Sequence, residues 1–273
     1  MFTPKEIADN YINIAKAKTA QVWYKTLVLA VLAGVFIAFG AAASTAVSVG
    51  LSGGAAAAVK GAVFPVGLIL VVLCGAELFT GNCLLVSPVA EREIKLSGML
   101  KNWGIVYLGN LVGGVLIAVL VTTSGVLNAA TGAAVISTAV TKSAMNFGEA
   151  VLRGVLCNML VCLAVWAAMS SKNIAGKILA LYLPVFAFVA CGFEHSVANM
   201  YYLTAGLIQN ALTGAGAALK IGDALLYCLL PSTIGNIIGG AFIAMCFFLS
   251  FRIGKKKENA DTEQPQTTGD NNE

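Results

Sequence analysis

Long apolar stretches separated by short polar connections set the pattern of this chain. They run from about Tyr24 to Val49, Gly61 to Val86, Trp103 to Thr123, Phe147 to Met169, Ile178 to Leu207 and Ala224 to Phe251. Each is close to or above the roughly 20 residues that carry a helix across hydrocarbon. The pattern therefore predicts an all-α membrane protein with six transmembrane helices. Ahead of them, residues 3 to 21 place Ile7, Tyr11, Ile14 and Ala15 at helical spacing among charged groups. That reads as an amphipathic helix, lying on the membrane surface or solvated. After Arg252 the chain turns hydrophilic, which predicts a disordered tail. The expected divisions are 1–22 for the surface helix, 23–252 for the six-span channel domain and 253–273 for a cytoplasmic tail.

Polar residues break the pattern in the second and fifth stretches. A bilayer interior makes ionisable groups costly, so Glu77 and the adjacent Glu194 and His195 need a reason to be there. His195 is the only histidine of the chain. Glu77 and Asn82 repeat as Glu194 and Asn199, and Gly75 and Gly192 stand two residues before the respective glutamates. Further on, Asn110-Leu111-Val112-Gly113-Gly114 repeats as Asn236-Ile237-Ile238-Gly239-Gly240. Spans one to three thus resemble spans four to six. Three is odd, so the second unit enters the membrane from the other side, predicting an inverted 3+3 repeat. Repeats of this kind put binding sites near the midplane at interrupted helices.

The interruptions are expected at Gly81-Asn82 and around Gly192, glycines that permit the required dihedrals. Symmetry would bring Thr80 and His195 from opposite halves onto one cavity. A threonine hydroxyl can donate to an anion or accept from the imidazole. Glu77 and Glu194 read either as proton carriers or as caps on the loose N–H groups of their own breaks. Their recurrence at one loop position favours capping. His195 reads as a proton donor to a weak-acid anion or as a neutral hydrogen-bond donor. Glu149 and Arg153, four residues apart on a helix, read as a structural ion pair. The Gly113-Gly114 and Gly239-Gly240 pairs are expected to let helices pack closely. Trp23, Trp103 and Trp166 fit interfacial or packing positions.

Composition agrees with the membrane assignment: 58% of residues are hydrophobic, 11% are charged, and the mean hydropathy is +0.85. Water-soluble domains carry about a quarter charged residues. The small net charge of +4 does not imply nucleic acid. Lys5, Lys16, Lys18, Lys25, Arg92, Lys95 and the Lys255–Lys257 run fall on one side of the six spans, against Lys60, Lys142 and Lys220 on the other. By the positive-inside rule both termini are cytoplasmic in a multi-pass protein of the cell membrane. No secretory signal fits the charged first residues. The seven cysteines form no Cys-x-x-Cys pair and read as buried small hydrophobes. No metal or cofactor pattern is present, and a single histidine excludes His-Glu-x-x-His zinc chemistry. Ser196 follows His195 without a partnered acid, which argues against a hydrolase.

At these residues the chain resembles the formate/nitrite transporter family. The resemblance rests on Gly75-Ala76-Glu77-Leu78-Phe79-Thr80, Gly192 to Met200, Asn158 to Trp166, and Thr233 to Gly240. It implies a homopentamer of aquaporin-like protomers, each with its own pore for small monovalent anions such as formate, nitrite or hydrosulfide. By motif position His195 would be the central histidine and Thr80 its loop partner. Leu78 and Phe188 would form one apolar constriction, and Phe64 and Leu68 another. Lys142 would stand at the outer entrance, with Asn158 and Asn236 at polar positions near the pore. The alternative is an aquaporin-like neutral-solute pore, although the Asn-Pro-Ala loop signature of aquaporins is missing.

Overall fold

The computed structural model describes residues 1–253 and contains only helices and turns there. The expected tail, apart from Ile253, lies outside the described residues. In chain order the helices are α1 (Pro4–Ala20), α2 (Trp23–Val47), α3 (Gly53–Val63), α4 (Val66–Leu73), α5 (Phe79–Asn82), α6 (Val86–Ala90) and α7 (Leu96–Thr123). They continue as α8 (Ala129–Ser143), α9 (Phe147–Ser170), α10 (Ile174–Ala190), α11 (Ser196–Thr213), α12 (Ile221–Asp223) and α13 (Leu230–Phe251). A wider π turn over Ala224–Leu229 leads into α13. Five stretches are long and apolar enough to cross a membrane: Trp23–Val47, Gly53–Leu73, Leu96–Thr123, Phe147–Ser170 and Ile221–Phe251. The expected fifth span is shared between α10 and α11.

Helix α7 shows why these segments suit lipid. Leu108, Val112, Leu116 and Leu120 stand one turn apart and are all exposed. Its opposite face buries Val106, Gly109, Asn110, Gly113 and Gly114. Lipid tails are as apolar as leucine, so close backbone approach, not apolar burial, holds such helices together. A Cβ on Gly113 would lie 2.1 Å from the Val31 carbonyl oxygen of α2, and one on Gly239 would lie 2.1 Å from that of Val155 in α9. The expectation for these glycine motifs holds, and α2 against α7 is matched by α9 against α13.

Helix α1 differs from its sequence reading. It starts with a capping box, in which the Thr3 hydroxyl accepts from the Glu6 N–H and the Thr3 N–H donates to Glu6. Its apolar stripe of Ile7, Ala8, Tyr11, Ile12 and Ala15 is buried in the protein itself, and Ile14 alone of the expected set is exposed. Tyr11 meets Trp166 with ring centroids 6.3 Å apart. Arg252, at the end of α13, pairs with both Asp9 and Glu91, and Lys16 pairs with Glu93 at 2.6 Å. These contacts tie α1 to the end of α13 and the α6–α7 turn. Helix α8 lies in a stretch that the hydrophobic pattern leaves as an outer connection.

Candidate functional site

The chain leaves the helix in both polar loops, and in the first it does so earlier than the sequence suggested. Helix α4 stops at Leu73, Gly75 takes φ +74°, and α5 starts at Phe79. Gly81 and Asn82 are helical. Gly75 therefore performs the role expected of Gly81. In the second loop α10 stops at Ala190, Gly192 takes φ +71°, and α11 starts at Ser196.

Two fully buried asparagines satisfy the loose backbone of these breaks. Asn110 accepts from the Phe79 N–H at 2.9 Å and donates to the carbonyls of Ala30 and Glu77. Asn236 accepts from the Ser196 N–H at 2.8 Å and donates to the carbonyls of Gly154 and Glu194. This corrects the expected capping by glutamate. A break exposes both N–H and C=O groups; an amide side chain serves both, whereas a carboxylate only accepts.

The glutamates hold side chains. Glu77 accepts from Lys18 and from Asn82, each at 2.7 Å. Glu194 accepts from Lys142 at 2.7 Å and from Asn199 at 2.8 Å. Lys142 is thus an inward-turned partner of Glu194, its side chain 17% exposed. Lys18 escaped the sequence reading. Its available signal was position: like Lys142, it stands near the end of an amphipathic helix that precedes a glutamate loop.

Between the breaks His195 and Thr80 meet, with Nε2 2.9 Å from the threonine Oγ1. The Ala198 N–H donates to Nδ1 at 3.1 Å. Nδ1 is therefore the acceptor and Nε2 carries the proton, so the neutral imidazole donates to Thr80. The Thr80 hydroxyl keeps its own hydrogen for another partner. Asn158 donates to the Thr80 carbonyl at 3.2 Å and to that of Asn236 at 2.6 Å. Asn158 and Asn236 are both fully buried and donate to backbone carbonyls.

A cavity of about 440 Å³ reaches this point from the Lys142 side. Its walls include Lys60, Lys142, Arg153 and Glu194, and at its inner end Phe64, Phe188 and His195. The Phe188 ring lies nearly parallel to the imidazole at 6.0 Å, and Phe64 meets Phe188 edge-on at 5.8 Å. Phe64 and Phe188, assigned to separate constrictions from the resemblance, therefore touch. Leu68 and Leu78 are buried and do not line the cavity. Glu149 and Arg153 form the expected ion pair at 2.5 Å. Trp103 donates to the Asn82 carbonyl and Trp166 stacks on Phe247, whereas Trp23 is exposed. Of the cysteines, Cys83, Cys157, Cys162 and Cys228 are buried as expected, but Cys74 and Cys191, beside the two breaks, are exposed.

A lipid-compatible helical shell around two helix breaks and a cation-bearing cavity defines a multi-pass membrane channel or carrier. The chain belongs to the formate/nitrite transporter family, whose family model matches residues 5–250. It is 37% identical over 268 residues to the probable formate transporter of Methanothermobacter thermautotrophicus, covering 90% of this chain and 95% of that one. It is 40% identical over 238 residues to the formate channel FocA of Escherichia coli (strain K12), covering 80% and 83%. Among solved structures it is similar to a pentameric formate channel with formate bound, at 33% identity and TM-score 0.76, covering 83% of this chain and 96% of that one. An FNT family ion channel is similar at 29% identity and TM-score 0.80, covering 90% and 97%.

Proposed function

We propose that this protein passes small monovalent weak-acid anions, with formate first and nitrite or hydrosulfide as close alternatives, through a path that crosses His195 and Thr80. The observation that carries this reading is the His195–Thr80 hydrogen bond of 2.9 Å between two helix breaks at the inner end of the cavity. The protomer is a six-span inverted 3+3 repeat with helices two and five interrupted and both termini cytoplasmic. The paired asparagine brackets support the repeat, and the lysine distribution supports the orientation. The working unit is a homopentamer, by similarity to the pentameric formate channel.

The chemistry follows from desolvation. A bare anion facing Phe64 and Phe188 loses hydration that an apolar wall does not replace. The Thr80 hydroxyl, already accepting from His195, is oriented to donate to the anion. The anion's charge stabilises a positive imidazolium beside it. His195 then takes a proton from a hydronium of the cavity at Nδ1, giving up the Ala198 hydrogen bond there and leaving a neutral water, and passes its Nε2 proton through the Thr80 hydroxyl to the anion, which crosses the apolar ring as a neutral acid. Leu68 and Leu78 belong to the same apolar ring beyond the cavity's inner wall.

Flux of formate, nitrite and hydrosulfide into liposomes, measured across pH, tests this. His195→Asn keeps a hydrogen-bond donor but carries no titratable ring. It is expected to assemble normally and to alter the pH dependence of flux. An unaltered pH profile in this variant would refute the proton-transfer role. Equal passage of water or glycerol and exclusion of formate would favour the aquaporin-like reading.

A further inference from the structure

The cations lining the cavity differ in how much of their charge is free. Lys142 is paired with Glu194 at 2.7 Å inside the wall. Arg153, 42% exposed, is paired with Glu149 and donates to the Gly192 carbonyl. Lys60, in the last turn of α3, makes no ion pair and no side-chain hydrogen bond among the described residues.

Hydroxyls on the same walls are mostly committed. Thr45, Thr138 and Thr141 donate to the carbonyls of Ala41, Ala134 and Ser137 of their own helices. They present lone pairs to the cavity, which an anion avoids. The cavity's 440 Å³ also exceeds one formate several-fold, taking roughly 30 Å³ per water-sized group. A space this large does not grip a small anion by fit, and its influence is its field.

We propose that Lys60 is the anion-collecting charge of this vestibule, while Lys142 serves as the buried counter-ion of Glu194. The proposal rests on the transport reading above. Its free ammonium raises the local anion concentration ahead of Phe64 and Phe188, a long-range effect that salt screens over about 8 Å at physiological ionic strength.

The test is formate flux into liposomes at sub-saturating formate, at low and at high salt, with assembly checked by size-exclusion chromatography. Lys60→Gln is expected to lower flux about three- to tenfold at low salt, the scale of steering by a focused charge. The gap closes as salt rises, and flux at saturating formate stays unchanged. Lys60→Arg is expected to retain flux, and Lys60→Glu to lower it further. If Lys60→Gln does not assemble, the Arg and Glu variants read the same sign. Lys220→Gln, exposed and away from the cavity walls, is expected to match the unsubstituted protein. Equal flux for Lys60→Gln and the unsubstituted protein at every salt concentration overturns the proposal, as does a gap that salt leaves unchanged. Absence of formate flux in the unsubstituted protein instead overturns the transport reading itself.

Discussion

The two helix breaks use one set of braces and differ in what they hold. Each has a glycine at positive φ, an asparagine bridging three backbone groups, and a glutamate shared between a lysine and a second asparagine. Counted from the glutamates, His195 stands where the first loop has Leu78, and Val197 stands where it has Thr80. Symmetry therefore builds the support, and departures from symmetry build the chemistry. Surroundings differ too. Glu194 and Lys142 line the cavity, whereas Glu77 and Lys18 do not.

The strongest way to break this comparison is to remove the asparagines. Asn110→Ala and Asn236→Ala each leave a buried N–H and a loop carbonyl, of Glu77 or Glu194, without partners, while the carbonyls of Ala30 and Gly154 keep their bonds within α2 and α9. At about 1–3 kcal/mol per orphaned group, each is expected to cost at least about 2 kcal/mol and to lower sharply the yield of assembled protein in detergent. If one variant assembles at wild-type thermal stability, the two braces are not equivalent.

Glu77→Gln and Glu194→Gln come next. Each leaves a lysine without its counter-ion, and the Lys18 and Lys142 side chains are 21% and 17% exposed. Breaking a fully buried pair costs about 3–5 kcal/mol; partial exposure reduces that here to about 1–3 kcal/mol. Both variants are expected to lower the melting temperature by similar amounts. Only Glu194→Gln, which faces the cavity, should also change anion flux. A flux change confined to Glu77→Gln would reverse the assignment of the open side.

Glycine substitutions sharpen the position of the first break. A Cβ on Gly75 meets nothing within 4 Å, and one on Gly192 meets only the Arg153 guanidinium at 3.9 Å. Gly75→Ala and Gly192→Ala should therefore each cost about 1–2 kcal/mol through left-handed backbone alone. Gly81 is helical and its Cβ has room, with Val165 at 3.7 Å. Gly81→Ala should leave thermal stability unchanged or raise it by up to about 1 kcal/mol. A large loss there would return the break to Gly81.

The smallest effect separates the helices that carry the two lysines. The Thr3 N–H, and then its hydroxyl, hold the Glu6 carboxyl below its ordinary value of 4.5. The first turn of α1 is thus supported above that pH and loses the support as pH falls through the lowered value. Helix α8 is capped by Asn128, which accepts from the Thr131 N–H and does not titrate. Amide exchange should quicken in the first turn of α1 in acid and leave that of α8 unchanged. Equal quickening in both would mean that the capping box does not distinguish them.

Much of this organisation was legible in the order of residues. Apolar runs marked the membrane helices because lipid tolerates few charges. The recurrence of Glu-x4-Asn and of Asn-x-x-Gly-Gly marked which elements correspond. Thr80 and His195 could be paired because the repeat placed them at matching breaks. Other features were not readable. Gly81-Asn82 looked like the first interruption because glycine permits the dihedrals of a break, yet both residues are helical and the chain turns at Gly75. Capping went to Asn110 and Asn236 because they face the breaks from neighbouring helices, a relation that sequence distance hides.

What the sequence determined by itself is what depends on composition and period: a helical membrane protein, its long apolar helices, and the two polar loops that carry Glu77 and Glu194. Only the tertiary structure decided which charges are cancelled. Lys142 and Lys60 are alike in the sequence, each in a segment expected on the same side of the spans. The fold turns one onto Glu194 and leaves the other lining the cavity without an ion pair among the described residues. Charge neutralisation depends on distances of a few ångströms between elements far apart in sequence, and those distances are set by packing.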